Sequence, residues 1–517
     1  MQLIGYQESN AGTETFFGYN PAVAEKLEPA FVDATEQEIN QAVALANQAF
    51  DTYRLILGKD KAAFLEAIVE EILAIGDELL QTAHLETALP IARLTGERGR
   101  TTGQLKLFAE LLREGSWVEA RMDTALPDRQ PLPRPDLRQM LLPIGPVAVF
   151  GASNFPFAFS VGGGDTVSAL AAGCPVIFKA HPAHPATCQL VGKAILKAAR
   201  RCEMPEGVFS MVHGTQTAVG MSLVRHPFVK AVAFTGSFRG GKALYDAAQK
   251  REEPIPVYAE MGSTNPVFFL PGILKERGED LAQAYVSSLT QGVGQFCTNP
   301  GVAILPAGQQ AFASEASRVL SATKGGYLLT AGIKKTYEHG IEKLSAKTKV
   351  LGIGLTDSAL QARPIVVEST VKEAIQDQTL TEEVFGPSSV LLHADNDEDI
   401  YNFARQLNGH LTATIHGTEE DFKQYAALIS ILQTKVGRLI INGFPTGVEV
   451  SHAMTHGGPF PATTDARSTS VGTKAIVRFT RPVSFQDFPD FLLPDELKTS
   501  NPLSIWRMVN GNWEKEN

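Results

Sequence analysis

Cysteine is scarce in this chain: four occur in 517 residues, at positions 174, 188, 202 and 297. They form no CxxC pair and no Cys/His ligand cluster, so neither a disulfide framework nor a metal site is expected. Long apolar runs are also missing. None approaches the roughly 20 residues that span a bilayer, and no membrane partner is expected. Basic charge is not in excess either. With 46 Lys and Arg against 56 Asp and Glu, the net charge of −10 argues against a nucleic-acid partner, whose phosphates need clustered cations. The start, MQLIGYQESNAG, lacks the basic-then-apolar order of a secretory leader. Together with reduced thiols, this makes the cytoplasm the expected compartment.

What the chain does have is the composition of an ordinary soluble enzyme, 44% hydrophobic and 20% charged. Its 517 residues exceed the roughly 250–300 that one hydrophobic core supports, which predicts two or more domains. Apolar spacing predicts amphipathic helices over 37–50, 61–82 and 97–114. Prolines 127, 131, 133 and 135 then forbid a helix and suit an extended arm. From 146 to 260, apolar strands alternate with helices: strands at 146–150, 175–179, 207–212, 231–234 and 255–260, helices at 158–172, 184–200, 215–224 and 238–249. That alternation predicts a parallel sheet covered on both faces, with ligands received at the carboxyl ends of its strands. A second α/β unit follows 262, with strands at 266–270, 302–305, 364–367, 389–393, 413–416 and 439–442. Residues 471–479 and 483–485 read as extended and able to pair with the proline-rich arm.

Cys297 is the one cysteine in an uncharged, glycine-rich turn, QGVGQFCTNPG. A thiol reacts as thiolate, and its free pKa of about 8.5 means that a working site must lower that value or supply a base. A candidate base is Glu260, a carboxylate closing an apolar strand in YAEMGS. A candidate oxyanion donor is the amide of Asn154 in GASNFPF, directly after a strand. FTGSFRGG, 234–241, is a glycine-containing strand-to-helix turn able to receive a nucleotide, although it is not the GxGxxG fingerprint. EEVFGP, 382–387, reads by itself as a helix end.

In this order and approximate spacing, the five segments resemble the aldehyde dehydrogenase superfamily over nearly the whole chain. The resemblance implies an α/β fold with three parts. These are a Rossmann-like cofactor domain (1–124 and 144–260), an α/β catalytic domain (261–469) and a β-flap for oligomerisation (125–143 and 470–517), giving a homodimer or homotetramer. It also implies roles: Cys297 as nucleophile, Glu260 as general base, and Asn154 with the Cys297 N–H as the oxyanion hole. Glu383 and Phe385 would hold the nicotinamide end of the cofactor, Lys179 its adenosine ribose, and Gly236, Ser237 and Gly241 would lie near its pyrophosphate.

The wording of several motifs narrows the resemblance. Glu260 is followed by Met-Gly-Ser-Thr-Asn-Pro, the thiol sits in Phe-Cys-Thr-Asn-Pro-Gly, Lys179 precedes Ala-His-Pro-Ala-His-Pro, and residues 456–467 read HGGPFPATTDAR. These are similar to the branch holding α-ketoglutaric semialdehyde (2,5-dioxovalerate) dehydrogenases and a related bacterial NADP-dependent fatty-aldehyde dehydrogenase. The implied reaction is NAD(P)-dependent oxidation of a small-molecule aldehyde, 2,5-dioxovalerate first and a long-chain or other short-chain aldehyde as the alternative. Pro182 stands where NAD-selective members often carry a glutamate, so NADP is expected and NAD remains possible. Phe155 and Phe296, beside Asn154 and Cys297, are expected along the substrate path. A dicarboxylate-type substrate needs a cation, for which Arg98, Arg100 and Arg467 are candidates.

Overall fold

The computed structural model describes residues 1–515; the last two residues of the 470–517 segment lie outside the described residues. Its first sheet runs in the order Val257–Glu260, Ala231–Thr235, Val147–Phe150, Val176–Lys179, Phe209–Val212, Gln2–Ile4, Gln7–Ser9. The first five strands are parallel, as the strand–helix alternation predicts, and the last two join antiparallel. Strand Val147–Phe150 shows why an apolar run is needed here. Val147 and Val149 pack into one helix-covered core, Ala148 and Phe150 into the core on the opposite face.

The second sheet runs Lys349–Ile353, Ile365–Thr370, Ser388–His393, Val302–Leu305, Val267–Phe269, His410–His416, Val436–Ile441. Only its first strand is antiparallel to its neighbour. Phe268 faces one core, Val267 and Phe269 the other. A third sheet has the order Thr480–Gln486, Leu137–Pro143, Arg121–Asp123, Arg507–Val509, Asn512–Glu514. The proline-rich arm does pair with the C-terminal segment, in register from Leu137 against Gln486 to Pro143 against Thr480.

Local departures from the expected elements have identifiable causes. The helix expected over 61–82 is two helices, Gly58–Ala74 and Asp77–Thr87, broken at Gly76 with φ +69°. The helix expected from 158 begins at Gly164, because residues 151–163 form the loop that carries Asn154. Residues 471–479 are not extended: Thr473–Phe479 is a 3₁₀ helix entered through Gly472 at φ +90°. Its Ala475, Ile476 and Phe479 sit in the first core. Strand Arg121–Asp123 belongs to the third sheet, so that sheet begins before residue 125.

That 3₁₀ helix is anchored by Arg478, which donates to Asp165 at 2.6 Å, both side chains nearly buried at 3% and 11% exposure. Removing one member leaves the other charge stranded, which costs more than removing both. Arg478→Met is expected to lower unfolding stability by about 3–5 kcal/mol, and Arg478→Met with Asp165→Leu by less, as read from urea denaturation.

Candidate active site

The thiol loop is held by backbone strain and by buried amides. After helix Pro271–Thr290 the chain passes Gly292, Val293 and Gly294 at φ +56°, +60° and +66°. A β-branched residue is costly there. A Cβ on Gly294 would meet the Gly386 carbonyl oxygen at 2.3 Å, so this turn is pressed against the loop that follows Glu383. Asn265, fully buried, donates to the carbonyls of both Cys297 and Asn299 at 2.9 Å. Asn154, also buried, donates from Nδ2 to the Gln295 carbonyl at 3.0 Å. A side-chain amide carries two N–H groups, so this bond leaves one for a ligand.

Above the thiol, three reactive groups converge. Cys297 Sγ lies 3.4 Å from His456 Nε2, and the same nitrogen lies 2.8 Å from Glu260 Oε1. The three ligand atoms all fall within 4.8 Å of one another. Ser470 Oγ donates to the other Glu260 oxygen at 2.5 Å. Glu260 ends its strand, and its neighbour Met261 donates to the Ala462 carbonyl, which ties the strand end to the segment bearing His456 and Ser470.

Charge sets the resting protonation of this cluster. Burial works to raise the Glu260 carboxyl, but His456 and Ser470 outweigh it and hold the group below its usual value. Burial, and then the negative charge of Glu260, push the Cys297 thiol well above its usual value, while Arg100 acts in the opposite direction. At neutral pH, then, the thiol keeps its proton until a neighbour takes it.

The surrounding wall is aromatic. Phe155 meets Phe159 and Phe296 edge-on at 5.3 and 5.4 Å, and Phe159 lies 6.1 Å from the His456 ring. Three residues of helix Ile91–Glu114, spaced four and three apart, face this wall. Arg93 lies over Phe155 and Phe296 at 5.1 and 5.0 Å and donates to the Asn154 carbonyl at 2.8 Å. Arg100 lies over Phe159 at 5.0 Å. Glu97, between them, accepts the backbone N–H groups of Phe157 and Ala158. The other two arginines expected to meet substrate are elsewhere. Arg98 donates to the Gly76 carbonyl, and Arg467 is 93% exposed beside Asp465.

The residues expected at the cofactor lie along the carboxyl ends of the first sheet. Lys179 ends its strand, and burial lowers its ammonium to about 8, opposed by Cys188 and Asp33. Pro182 follows in the loop before helix Pro185–Arg201. Ser237 caps helix Phe238–Gln249 by accepting from Gly240, and the first turn of that helix is exposed, as an anion site requires. A Cβ at Gly236 would meet the Phe234 ring at 2.7 Å, and one at Gly241 would meet Met261 at 2.7 Å, so both positions need glycine for packing. Glu383 and Phe385 sit in a loop rather than at a helix end, and line a cavity of about 20 Å³ with Phe296 and Asn299. These residues suit a dinucleotide: an open helix N-terminus for pyrophosphate, with a lysine ending a strand two places along the same sheet.

A model of the aldehyde dehydrogenase family matches residues 6–473. The chain belongs to the aldehyde dehydrogenase family. It is 48% identical to α-ketoglutaric semialdehyde dehydrogenase 2 of Azospirillum brasilense over 518 aligned residues, covering 99% of each protein. It is 47% identical to the α-ketoglutaric semialdehyde dehydrogenase of Acinetobacter baylyi, over 99% of this chain and 98% of that one. Among solved structures, an aldehyde dehydrogenase C mutant from Pseudomonas syringae, complexed with NAD+ and octanal, superposes with a TM-score of 0.79. It is 19% identical, and the match covers 94% of this chain and 96% of that one. A 1-pyrroline-5-carboxylate dehydrogenase gives 0.78 at 20% identity, over 94% and 92% of the two chains.

Sequence reasoning had passed over four residues that this aldehyde dehydrogenase places at the thiol: His456, Ser470, Asn265 and Arg93. The HGGPFPATTDAR segment carried a signal for the first, a histidine among glycines and prolines where no helix or strand could use it. The geometry makes a prediction about the thiol. Because the Glu260 charge raises the Cys297 pKa, Glu260→Gln is expected to speed iodoacetamide alkylation of Cys297 several-fold at pH 8. Mass spectrometry of the modified peptide checks it; an unchanged rate would show that the two groups are electrically uncoupled.

Proposed function

We propose that this enzyme oxidises 2,5-dioxovalerate to 2-oxoglutarate, using NADP in preference to NAD. The two relatives at 48% and 47% identity over nearly their whole lengths support the substrate. The chemistry rests on one observation, the Cys297–His456–Glu260 cluster within 4.8 Å.

In this reading the Glu260 carboxylate, flanked by His456 Nε2 and Ser470 Oγ, takes the thiol proton. The Cys297 sulfur forms a bond to the aldehyde carbon. The oxygen left negative accepts from the second N–H of Asn154 and from the Cys297 backbone N–H; losing one such donor typically costs about 2.7–4 kcal/mol. A nicotinamide dinucleotide, held by Lys179, Gly236, Ser237, Gly241, Glu383 and Phe385, supplies the hydride acceptor when bound. Glu260 releases that proton to solvent and then takes one from water, the hydroxide adds to the thioester carbon, the C–S bond breaks, and Glu260 returns its proton to the thiolate. Net, one aldehyde and one water give one acid, one hydride carrying two electrons, and one proton released to solvent. A general base beside the thioester favours hydrolysis over transfer to another thiol.

The cofactor preference draws on Lys179 and on Pro182, where no carboxylate opposes a 2′-phosphate. The apolar residues exposed near the third sheet, including Phe491 at 79%, support its use as a homo-oligomer contact. Among the described residues no helix is long and apolar enough to cross a membrane. A cytoplasmic enzyme is the reading that scarce, unpaired cysteines favour.

Four outcomes are expected. Cys297→Ala abolishes oxidation, and Glu260→Gln leaves a hydride burst larger than its steady-state turnover, seen as rapid absorbance at 340 nm. In a kcat/KM panel of 2,5-dioxovalerate, succinic semialdehyde, glutaraldehyde and decanal, the first leads; decanal winning by about tenfold would replace this reading with a fatty-aldehyde one. NADP affinity falls as pH rises through about 8, where free Lys179 loses its charge, while NAD affinity changes less. Calorimetric titration with each cofactor reads the difference.

A further inference from the structure

Helix Ile91–Glu114 presents a feature that the reaction scheme leaves unused. Nη1 and Nη2 of Arg100 are buried without a hydrogen-bond partner, and so is Nη1 of Arg93. A guanidinium left in this state is expensive unless an anion meets it. The nearest carboxylate on the helix, Glu97, acts on both arginines through its charge but bonds to neither: one oxygen accepts the Phe157 and Ala158 N–H groups and the other is buried without a partner. The two arginines differ in how they are held. Arg93 is committed, one nitrogen on the Asn154 carbonyl and its plane between Phe155 and Phe296. Arg100 has the Phe159 ring against it and lies within electrostatic reach of Glu97 first, then of Cys297, Glu260 and the exposed Glu449.

Resting on the semialdehyde reading above, we propose that Arg100 receives the carboxylate at the far end of the substrate, and that Arg93 is a positioning residue that holds Asn154 and the aromatic wall. The apolar wall of Phe155, Phe159 and Phe296 would cover the carbon chain between the two ends. Water is excluded from such a wall, which strengthens a charge-assisted pair. The substrate class is therefore short aldehydes with an ω-carboxylate, and the planar fork of arginine suits a carboxylate where a point charge would not.

The test uses the full-length enzyme with saturating cofactor. It compares kcat/KM for succinic semialdehyde and butanal, a four-carbon pair differing by the carboxylate, and for 2,5-dioxovalerate, in wild type, Arg100→Met, Arg100→Lys and Arg93→Met. Thermal unfolding controls for folding, and calorimetric binding of glutarate gives a readout independent of turnover. Wild type is expected to favour succinic semialdehyde over butanal. Arg100→Met should lower that ratio about 10–100-fold, mainly through KM, and weaken glutarate binding in parallel. Arg100→Lys should restore part of both. Arg93→Met should lower kcat for both aldehydes together and leave their ratio in place. A wild-type ratio near one would overturn the semialdehyde reading itself. A wild-type preference that survives Arg100→Met undiminished, with glutarate binding intact, would overturn the assignment of Arg100 alone. Should Arg100→Met fail to fold, Arg100→Gln retaining the full ratio and full glutarate affinity would overturn it equally.

Discussion

A buried carboxylate at a strand end organises this molecule. Glu260 is 4% exposed, closes the edge strand of the first sheet, and is met by His456 and Ser470 from the far C-terminal region. Burying an ion in this way demands partners, and the partners in turn dictate where the chain from 456 to 479 must run. Met261 pairs with Ala462, Ser470 reaches back to Glu260, and the following 3₁₀ helix is locked by Arg478 to Asp165. The thiol loop is then fitted against the same point from the opposite side. One electrostatic requirement therefore fixes the meeting of the two large sheets.

The same cluster reconciles two demands on Cys297. A thiol kept protonated at rest is protected from oxidation and stray electrophiles. A thiol that must attack needs a base within reach, and the Glu260 carboxylate lies in the same cluster as the thiol. Glu260 thus discourages the thiolate by its charge while lying close enough to the thiol to meet its proton.

Much of this was legible in the chain. Doubly buried strands such as Val147–Phe150 announce themselves as apolar runs, and Cys297, Glu260 and Asn154 each stand at a break in a regular pattern. Local pattern could not supply contacts set by tertiary distance. His456 lies 159 positions from Cys297, and Ser470 lies 210 from Glu260. Arg93, Arg98 and Arg100 look alike in sequence; only the helix phase, which turns Arg98 to the Gly76 carbonyl, separates them. The segment 473–479 misled because a 3₁₀ helix with apolar residues at spacing three has no strong signature against an extended strand. The N-terminal hairpin Gln2–Ile4 with Gln7–Ser9 carries too few residues for period two to show, and in Thr15–Asn20 with Glu25–Val32 the strands are mostly exposed or half-buried, so no apolar alternation marks them.

Asn265 carries a consequence of a different kind. Its amide donates to two carbonyls of the thiol loop, so exchange of that nitrogen for oxygen would set like dipoles against each other at the centre of the site. Asparagine ages by this exchange, through attack of the following backbone nitrogen on the side-chain carbonyl. The following residue here is Pro266, which has no backbone N–H to lose and cannot close that ring in the usual way. The order Asn-Pro thus shields the amide that braces the reactive loop from this route of chemical ageing.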